Sequence, residues 1–534
     1  MHKLTLRGGL VVDGTGATAR AADVLIADGR IVAMGSGLTT VGGVIDCHGL
    51  VVCPGFIDTH SHSDLRILAD PDLPMKVMQG ITLDVLGQDG ISVAPVGDAA
   101  ADREQSRKQL AGLLGDPNVD RTWRTVGEYL DRLDHGTALN TSYLVPHGAA
   151  RACVMGLEDR APTADELARM VALVGQGMAE GALGMSTGLI YPPCCYAAMD
   201  ELVALCSEVA RRKGVFVVHM RSESDRILAA TDEMLTVARR SGVHLHISHF
   251  KIAGQRNWPL VEKLIDKVEA ARAEGVVVTA DQYPYVAGST MLGAILPPWA
   301  HSGGVDKTIE RLGSSEERAK MRAAMQYDGE NEWDSFWAWT GPEGIVISDV
   351  PSGKRPELIG KTVAAAAAAL HKDALDFALD LLRDERMGVS MISFSQTEQV
   401  VARLVRLPWV NGCTDGLLGG RPHPRAFGAF PRYLGRYLAA SGLGLEEMIR
   451  KLTSQAAFAM HLGGRGTIIP GSAADLVVFD PKTIEDRATF ADPMQFPVGV
   501  RHVLVAGERV VSEGTATGAR PGKTVRHRDW KRPE

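Results

Sequence analysis

The middle of the chain repeats a strand–helix unit, and this repeat constrains the fold more than any other feature. A capping box at Thr163-Ala164-Asp165-Glu166 opens a helix with apolar periodicity. A second helix over 200–213 ends at Gly214, the apolar run 215–219 follows as a strand, and the alternation continues to residue 283. Such units predict an α/β protein with a parallel sheet covered by helices. Roughly 400 residues of them fit a (β/α)₈ TIM-like barrel with insertions better than an open sheet.

The two ends of the chain differ from this middle part. Residues 1–55 contain short apolar stretches separated by Asp-Gly turn signals, and similar stretches return at 475–480 and 502–511. We therefore predict a small β-sandwich domain built from residues 1–55 and 462–534, and a barrel over 56–461. Residues 290–350 interrupt the alternation and are rich in Pro, Gly, Trp and charge. This composition predicts an inserted, lid-like segment over the barrel mouth.

Composition excludes several classes of function. The net charge is −7, so the general basic face that nucleic-acid binding needs is not expected. No apolar run reaches the ~18 residues of a membrane span, and residues 1–7 lack a secretory apolar core. The seven cysteines are few and odd in number, which does not favour a disulfide framework. We expect a cytoplasmic protein that acts on a small molecule, with no nucleic-acid or membrane partner, while the oligomeric state stays open.

Histidines follow several predicted strands. His60 and His62 come after the apolar stretch 55–58, and strand alternation would place Asp58, His60 and His62 on one face. Two imidazoles at the carboxyl end of a strand suit a divalent metal, although an isolated pair fits surface or core histidines equally well. His219 and His249 end two later strands. Four histidines in equivalent places favour a metal site.

The same alternation argues against two other histidines as ligands. His244 and His246 lie on the strand face opposite to His249, so they are poor candidates if His249 points inward.

An acidic partner is found near the end of the predicted barrel. Asp415 lies in Asn411-Gly412-Cys413-Thr414-Asp415-Gly416, after an apolar stretch and before a Gly-rich loop. An Asp beside a metal can bind it and also accept a proton from water. Taken alone, an Asp before Gly is more typical of an ordinary turn.

These motifs resemble a known family. Gly55-Phe56-Ile57-Asp58-Thr59-His60-Ser61-His62-Ser63-Asp64 is similar to the first-strand motif of the amidohydrolase superfamily. Further segments resemble its D-aminoacylase (N-acyl-D-amino-acid deacylase) branch, in order over nearly the whole chain: 181–191, 219–221, 247–251, 281–285, 296–299, 423–425 and 471–476. The resemblance implies a (β/α)₈ barrel with a β-sandwich, and metal-dependent hydrolysis of N-acyl-D-amino acids to a carboxylate and a D-amino acid.

The resemblance also implies a set of site residues. It implies zinc, one or two ions per chain with other divalent metals allowed, held by His219 and His249, with His60 and His62 at a second, often weaker position. It makes Asp415 the general base and proton shuttle. The residues that it assigns to the substrate carboxylate are Lys251, Tyr283, Ser289 and Arg425. Lysine and arginine pair well with carboxylates, and ordinary salt bridging is their alternative role.

One position departs from the family pattern. D-aminoacylases usually carry a metal-bridging Cys in a Gly-Asn-Cys-Gly-Ile-Ser stretch, whereas this chain reads Gly87-Gln88-Asp89-Gly90-Ile91-Ser92. A carboxylate can bridge two metals but is a harder ligand than a thiolate. We expect a more evenly binuclear site or a different preferred metal. Alternatively, Asp89 does not bind and the site is mononuclear. His147 matches a further family segment, and we expect it to order a loop rather than bind metal.

Substrate choice is weakly encoded. The segment 290–299 contains no Arg or Lys, whereas acidic-substrate members of the family place a cation in this area, so we predict a neutral or hydrophobic side chain. One alternative is opening of a cyclic amide, imide or ureido compound by the same metal chemistry. A second alternative is an inactive barrel that serves as a scaffold, which should carry no stoichiometric zinc.

Overall fold

The computed structural model describes residues 3–327 and 332–528. The predicted terminal β-domain thus includes residues 1–2 and 529–534, and the predicted insertion includes residues 328–331, all of which lie outside the described residues. Within the described part of the chain, the strands are β1 (Lys3–Val11), β2 (Arg20–Ala27), β3 (Arg30–Gly35), β4 (Gly43–Asp46), β5 (Val51–Pro54), β6 (Phe56–Asp58), β7 (Ile81–Leu86), β8 (Asn140–Tyr143), β9 (Val145–Pro146), β10 (Gly184–Gly188), β11 (Val215–His219), β12 (His244–Ile247), β13 (Val278–Gln282), β14 (Ala287–Met291), β15 (Ile345–Asp349), β16 (Ser390–Phe394), β17 (Val410–Gly412), β18 (Leu476–Phe479), β19 (Val500–Val505), β20 (Glu508–Ser512) and β21 (Thr515–Ala516).

Helices alternate with the central strands. Over the same described residues, the α-helices are α1 (Arg66–Ala69), α2 (Pro74–Val77), α3 (Ala100–Leu114), α4 (Val126–Leu133), α5 (His147–Met155), α6 (Ala164–Ala179), α7 (Met199–Arg211), α8 (Ile227–Ser241), α9 (Val261–Ala273), α10 (Val305–Gly313), α11 (Ser315–Met325), α12 (Phe336–Thr340), α13 (Val363–Ala369), α14 (Ala374–Asp384), α15 (Glu398–Val405), α16 (Arg425–Arg432), α17 (Leu438–Ser441), α18 (Leu445–Leu452) and α19 (Ser454–Ala459). The capping box predicted for α6 is present, because Thr163 Oγ1 accepts a hydrogen bond from the Glu166 backbone N–H.

Eight parallel strand positions form the barrel. Strands β6, β7 and β8 pair in parallel, and β9, β10, β11, β12, β13 and β17 continue the parallel order. β9 follows β8 after one residue, and a parallel bridge between Ser61 and Gly416 joins the first and last strands. The predicted (β/α)₈ barrel is therefore confirmed.

Alternating side chains divide the barrel strands between two cores. Ile57, Leu83, Val85 and Val217 pack with one another and with α19 in a small cluster. Their neighbours along the strands, such as Val218, belong to the large core that contains the covering helices. This is the alternation expected of strands with one face toward the barrel axis and one toward the helices.

Both termini contribute to one nine-stranded sheet. β18 pairs antiparallel with β5, placing Leu476 opposite Pro54, so the C-terminal strands join the sheet of β1 to β5. β1 pairs with β4 through residues 4–7 and with β5 through residues 10–11. The sheet packs around its own small apolar core, while Val503 and Val511 belong to the barrel core. The limits 1–55 and 462–534 remain predictions.

A fourth core lies in the segment between β13 and β17. The antiparallel sheet β14-β16-β15 packs with α10 to α14 around side chains from Leu292 to Met391. Hydrogen bonds from Gly254 N to the Ser395 carbonyl and from Gln396 Nε2 to Tyr283 Oη connect this inserted unit to loops at the carboxyl ends of β12 and β13. The predicted segment 290–350 lies inside this longer unit. None of the described helices has the length and apolarity needed to cross a membrane.

Candidate metal centre

The structure brings all the predicted metal-binding side chains together at the carboxyl ends of the barrel strands. Each one lies at or just after the end of a strand: His60 and His62 after β6, Asp89 after β7, His219 at the end of β11, His249 after β12 and Asp415 after β17. All six side chains are buried. The carboxyl ends of barrel strands are where active sites of this architecture form.

One half of the cluster combines two histidines with two carboxylates. His62 Nε2 lies 3.2 Å from Asp415 Oδ1 and 3.5 Å from Asp89 Oδ2. His60 Nε2 lies 3.6 Å from an oxygen of each of the same two carboxylates. The four donor groups therefore face one small volume.

The other half is formed by His219 and His249. His219 Nδ1 lies 2.9 Å from His249 Nε2, and His249 Nε2 lies 3.8 Å from Asp89 Oδ1. The two oxygens of Asp89 are thus shared between the halves, since Oδ2 faces His62 while Oδ1 faces His60 and His249. This is the arrangement that a carboxylate bridging two cations would need.

Unpaired donor atoms in the cluster fit a bound zinc ion. His60 Nε2 and Asp89 Oδ1 are buried and have no hydrogen-bond partner among the described residues. Leaving a buried polar atom unpaired is costly, and a divalent cation between these atoms would satisfy both. Imidazole nitrogens with carboxylate oxygens are a normal donor set for zinc. The residues present can accordingly hold one or two zinc ions.

The electrostatics of the cluster also favour a cation. Burial alone would lower the pKa of His60, but the charges of Asp89 and Asp415 raise it to about 9. Burial likewise would raise the pKa of Asp89, yet His60 and His249 hold that pKa below its ordinary value. The carboxylates therefore stabilise positive charge at this point, and metal binding would replace the protons on the histidines.

Three candidate ligands have unusual backbone conformations. The φ angles are 56° at Asp89, 34° at His249 and 48° at Asp415, which is uncommon for residues other than glycine. His249 is held in place because its N–H donates to Asp281 Oδ1 at 2.5 Å. These turns direct side chains toward the cluster at points where a strand has already ended.

Strand alternation consequently fails at two predicted positions. Asp58 does not face the metal cluster with His60 but accepts a hydrogen bond from Lys76 Nζ at 2.6 Å, because β6 ends at Asp58 and the alternation stops there. His246 hydrogen-bonds to Thr279 and Asp281, outside the cluster as expected. His249 reaches the cluster through its positive φ and not through strand alternation.

Sequence reasoning missed Glu223. Its Oε1 lies 2.9 Å from His249 Nδ1 and 2.6 Å from Lys251 Nζ, and its Oε2 lies 3.5 Å from His219 Nε2. The spacing could have indicated it, since a carboxylate four residues after a histidine at a strand end can lie beside that histidine.

The predicted substrate-binding residues lie beside the cluster. A cavity lined by five of the six metal-binding side chains, all except His60, is also lined by Lys251, Tyr283 and Ser289. Tyr283 Oη accepts a hydrogen bond from Gln396, and the Ser289 hydroxyl donates to the Met391 carbonyl within the inserted sheet.

Arg425 occupies a different position from these three residues. It is fully buried, with Nη1 2.9 Å from Asp415 Oδ2, Nη2 donating to the Ser289 carbonyl and its guanidinium 4.4 Å from the Tyr283 ring centre. It therefore supports Asp415 and the cavity wall at the same time.

His147 lies outside the cluster. Its Nδ1 is 2.8 Å from Thr187 Oγ1 and its Nε2 is 2.9 Å from Glu201 Oε1. Both ring nitrogens are therefore engaged, and they connect the start of α5 to β10 and α7.

A (β/α)₈ barrel with histidines and carboxylates at the carboxyl ends of its strands defines the class of metal-dependent hydrolases. The model of the Amidohydrolase family matches residues 43–511. The chain belongs to the amidohydrolase family.

Individual relatives narrow this placement. The D-aminoacylase of Alcaligenes xylosoxydans xylosoxydans is 34% identical over 527 residues, covering 98% of this chain and 97% of the relative. The N-acyl-D-glutamate deacylase of the same organism is 34% identical over 530 residues, covering 98% and 96%. The crystal structure of N-acyl-D-glutamate deacylase from Bordetella bronchiseptica, complexed with zinc and a phosphonate mimic of the tetrahedral intermediate, matches with a TM-score of 0.83 and 32% identity over 98% of this chain and 99% of that one. The predicted resemblance to the D-aminoacylase branch is confirmed.

Proposed function

We propose that this protein is a zinc-dependent N-acyl-D-amino-acid deacylase. It hydrolyses the amide bond of its small-molecule substrate to a carboxylate and a D-amino acid. The observation that carries this proposal is the position of Asp89, whose two oxygens face two histidine groups beside a cavity lined by Lys251. The full-length similarity to deacylases supports the reaction type.

The cluster assigns the donors to two positions. His219 and His249 with Asp89 would hold one ion, and His60 and His62 with Asp89 and Asp415 would hold a second. Zinc bound here supplies Lewis acidity that lowers the pKa of water from its bulk value to about 7.

Asp415 is proposed as the proton-transfer residue. Burial opposes its ionisation, but the neighbouring Arg425 and His60 hold its pKa well below the ordinary value. One carboxylate oxygen pairs with Arg425 Nη1 while the other faces His62 and the cluster. Ionised Asp415 can therefore accept a proton from the attacking water and return it to the nitrogen of the leaving amine.

Lys251, Tyr283 and Ser289 are proposed to bind the substrate carboxylate, with Arg425 acting at the same end of the cavity. Lys251 Nζ lies 2.6 Å from Glu223 Oε1, 2.8 Å from His249 Nδ1 and 3.4 Å from the His249 carbonyl, and a substrate carboxylate would replace the longest of these contacts. Fixing the α-carboxylate at one point and the amide at the cluster leaves a defined direction for the side chain. That constraint would select one enantiomer.

The cavity favours a neutral or hydrophobic side chain. Its walls include the apolar and aromatic side chains of Leu113, Tyr191, Phe336 and Trp339. Among the described residues that line it, Lys251 is the one Lys or Arg, and it is already paired with Glu223. An acidic side chain would have no further cation at this wall.

Two variants test the proposed roles separately. Lys251→Met should raise KM for an N-acyl-D-amino acid at least tenfold, because it removes a charged contact to the carboxylate. Asp415→Asn should lower kcat at least a hundredfold, because it removes the proton acceptor. Lys307→Met, an exposed position in the inserted unit, is the matched control.

Unchanged kinetics in Lys251→Met would contradict the carboxylate-binding role and favour a cyclic amide, imide or ureido substrate instead. Activity in Asp415→Asn near that of the parent protein would exclude Asp415 as the base.

A further inference from the structure

A buried carboxylate of the inserted unit lies directly behind the metal cluster. Asp334 is 3% exposed and precedes α12 by two residues. Its Oδ1 accepts hydrogen bonds from the hydroxyls of Ser222 at 2.7 Å and Ser224 at 2.6 Å. Its Oδ2 accepts one from the backbone N–H of Glu223 at 2.7 Å. One carboxylate thus fixes three consecutive residues of the loop between β11 and α8.

The residue in the centre of that loop is Glu223. Its carbonyl accepts a hydrogen bond from Ala253 N–H, so both of its peptide groups are held. Its Oε1 lies 2.9 Å from His249 Nδ1, which Lys251 Nζ also approaches to 2.8 Å. Its Oε2 lies 3.5 Å from His219 Nε2, a buried nitrogen with no hydrogen-bond partner among the described residues. These are the ring nitrogens that point away from the six-residue cluster, because the opposite nitrogens, His249 Nε2 and His219 Nδ1, lie 2.9 Å apart and face it.

This geometry fits an orienting carboxylate better than a ligand. A histidine that binds metal through one nitrogen is usually fixed through the other by a carboxylate or carbonyl, which sets its tautomer and raises its basicity. Glu223 is placed to do this for His249 through Oε1, and its Oε2 faces the unpaired Nε2 of His219. Loss of such an outer partner typically weakens metal binding about 10- to 100-fold.

The segment that follows Asp334 also shapes the cavity. Ser335 caps α12 by accepting a hydrogen bond from Ala338 N–H, and Phe336 and Trp339 of that helix line the cavity wall. The cavity wall and the carboxylate that hydrogen-bonds to the Glu223 loop therefore belong to one short segment, residues 334–339.

We infer that Asp334 and Glu223 are positioning residues, through which the inserted unit holds His219 and His249 in their metal-binding orientation. The inference rests on the proposed function only for the identity of the metal cluster. It makes the inserted unit part of the metal site, in addition to its role as a wall of the cavity.

Zinc affinity measured without substrate tests this inference. The zinc-loaded full chain is titrated with a competing chelator for the parent protein, Glu223→Gln and Asp334→Asn. Glu223→Gln should weaken one zinc position about 10- to 100-fold. Asp334→Asn should weaken the same position in the same direction, because an amide keeps one acceptor oxygen and cannot accept from the Glu223 N–H and from both serine hydroxyls as the two carboxylate oxygens do.

Two controls separate positioning from general stability. Asp306→Asn removes an exposed carboxylate of the same inserted unit, paired with Lys108 and Arg386, and should leave zinc affinity unchanged. The visible absorption spectrum of cobalt-loaded protein should change in Asp334→Asn and Glu223→Gln but not in Asp306→Asn. If Asp334→Asn does not fold, Ser224→Ala removes one of its hydrogen bonds and should give a smaller shift of the same sign.

Glu223→Gln and Asp334→Asn both act on the orientation of the same histidines. The double variant should therefore lose less zinc affinity, in free energy, than the sum of the two single losses. A lowered Tm in Asp334→Asn with unchanged zinc affinity and an unchanged cobalt spectrum would overturn the inference. Neither readout uses an acylated substrate, so a failure of the deacylase assignment would be seen separately, in turnover alone.

Discussion

At the scale of single residues, Asp89 is the most informative side chain. Its two oxygens lie 3.5 Å from His62 Nε2 and 3.8 Å from His249 Nε2, so it occupies the position between two histidine groups. The family pattern has a cysteine there, and a carboxylate is the harder ligand. The sequence left open whether Asp89 binds metal, and its placement favours binding.

Replacement of Asp89 gives a direct prediction. Asp89→Asn should reduce the zinc bound per chain, because a neutral amide cannot bridge two cations as a carboxylate does. Asp89→Cys should keep the bound zinc, since a thiolate can also bridge. The measurement is metal content per chain by elemental analysis after gel filtration. Equal zinc content in parent protein and Asp89→Asn would show that Asp89 is not a ligand.

Lys451 gives a prediction about pH that does not involve the metal site. It is 2% exposed, and its Nζ donates to the Leu407 carbonyl. Burial, with a smaller effect of Arg450, lowers its pKa from 10.5 to about 7 against the opposing effect of Glu447. Between pH 7 and pH 10.5, Lys451 binds more protons in the unfolded chain than in the folded protein. The free energy of unfolding therefore rises with pH over this range because of Lys451, by up to about 1.4 kcal/mol per pH unit.

Lys451→Met should therefore be more stable than the parent protein near pH 7 and should lose part of the rise between pH 7 and pH 10. Chemical denaturation at a series of pH values measures this, with the exposed Lys482→Met as control. A parallel pH dependence in parent protein and Lys451→Met would refute the assigned pKa.

At the scale of elements, strand ends determine which side-chain directions can be predicted from alternation. His219 is the last residue of β11 and still has extended backbone, so the direction of its side chain follows from strand alternation. Asp58 and His249 could not be placed this way, because β6 ends at Asp58 and His249 has a positive φ. Alternation is a property of extended backbone, and it carries no information beyond the last extended residue. Glu223 was missed for a related reason, since it lies in the loop after β11 and returns to His219.

The short helix α12 should determine side-chain preference. Phe336 and Trp339 of this helix line the cavity, with ring centres 4.6 Å apart. The parent protein should prefer N-acyl-D-leucine or N-acyl-D-methionine over N-acyl-D-glutamate. Trp339→Arg should raise the ratio of kcat/KM for the glutamate substrate to that for the leucine substrate about 10- to 100-fold, because a charge-assisted hydrogen bond contributes about 1.5–3 kcal/mol.

Trp333→Arg is the matched control, because Trp333 belongs to the same inserted unit but does not line the cavity. Preferred turnover of the glutamate substrate by the parent protein would contradict the side-chain assignment. If the ratio of kcat/KM for the two substrates were unchanged in Trp339→Arg, α12 would not determine the side-chain preference.

At the scale of the whole molecule, four apolar cores account for the architecture of the described residues. The repeated strand–helix units predicted the barrel, because hydrophobic periodicity reports which faces are buried. The similar strand patterns at both ends predicted one β-domain built from both termini, and the pairing of β18 with β5 is what joins the two ends in one sheet. The full extent of the inserted unit was harder to predict, because β16 is an apolar strand after helix α14 and looks like one more barrel unit. Only its antiparallel pairing with β14 and β15 separates it from the barrel.

The central claim concerns the whole protein, which is a metal-dependent hydrolase acting on D-configured substrates. The most direct test is free-amine release from matched N-acetyl-D- and N-acetyl-L-amino acids, measured with zinc-loaded protein and with a chelated control. We expect amine release from the D-substrates alone, and we expect the chelator to abolish it. Absence of release from either enantiomer while zinc is bound, or equal release from both, would contradict it.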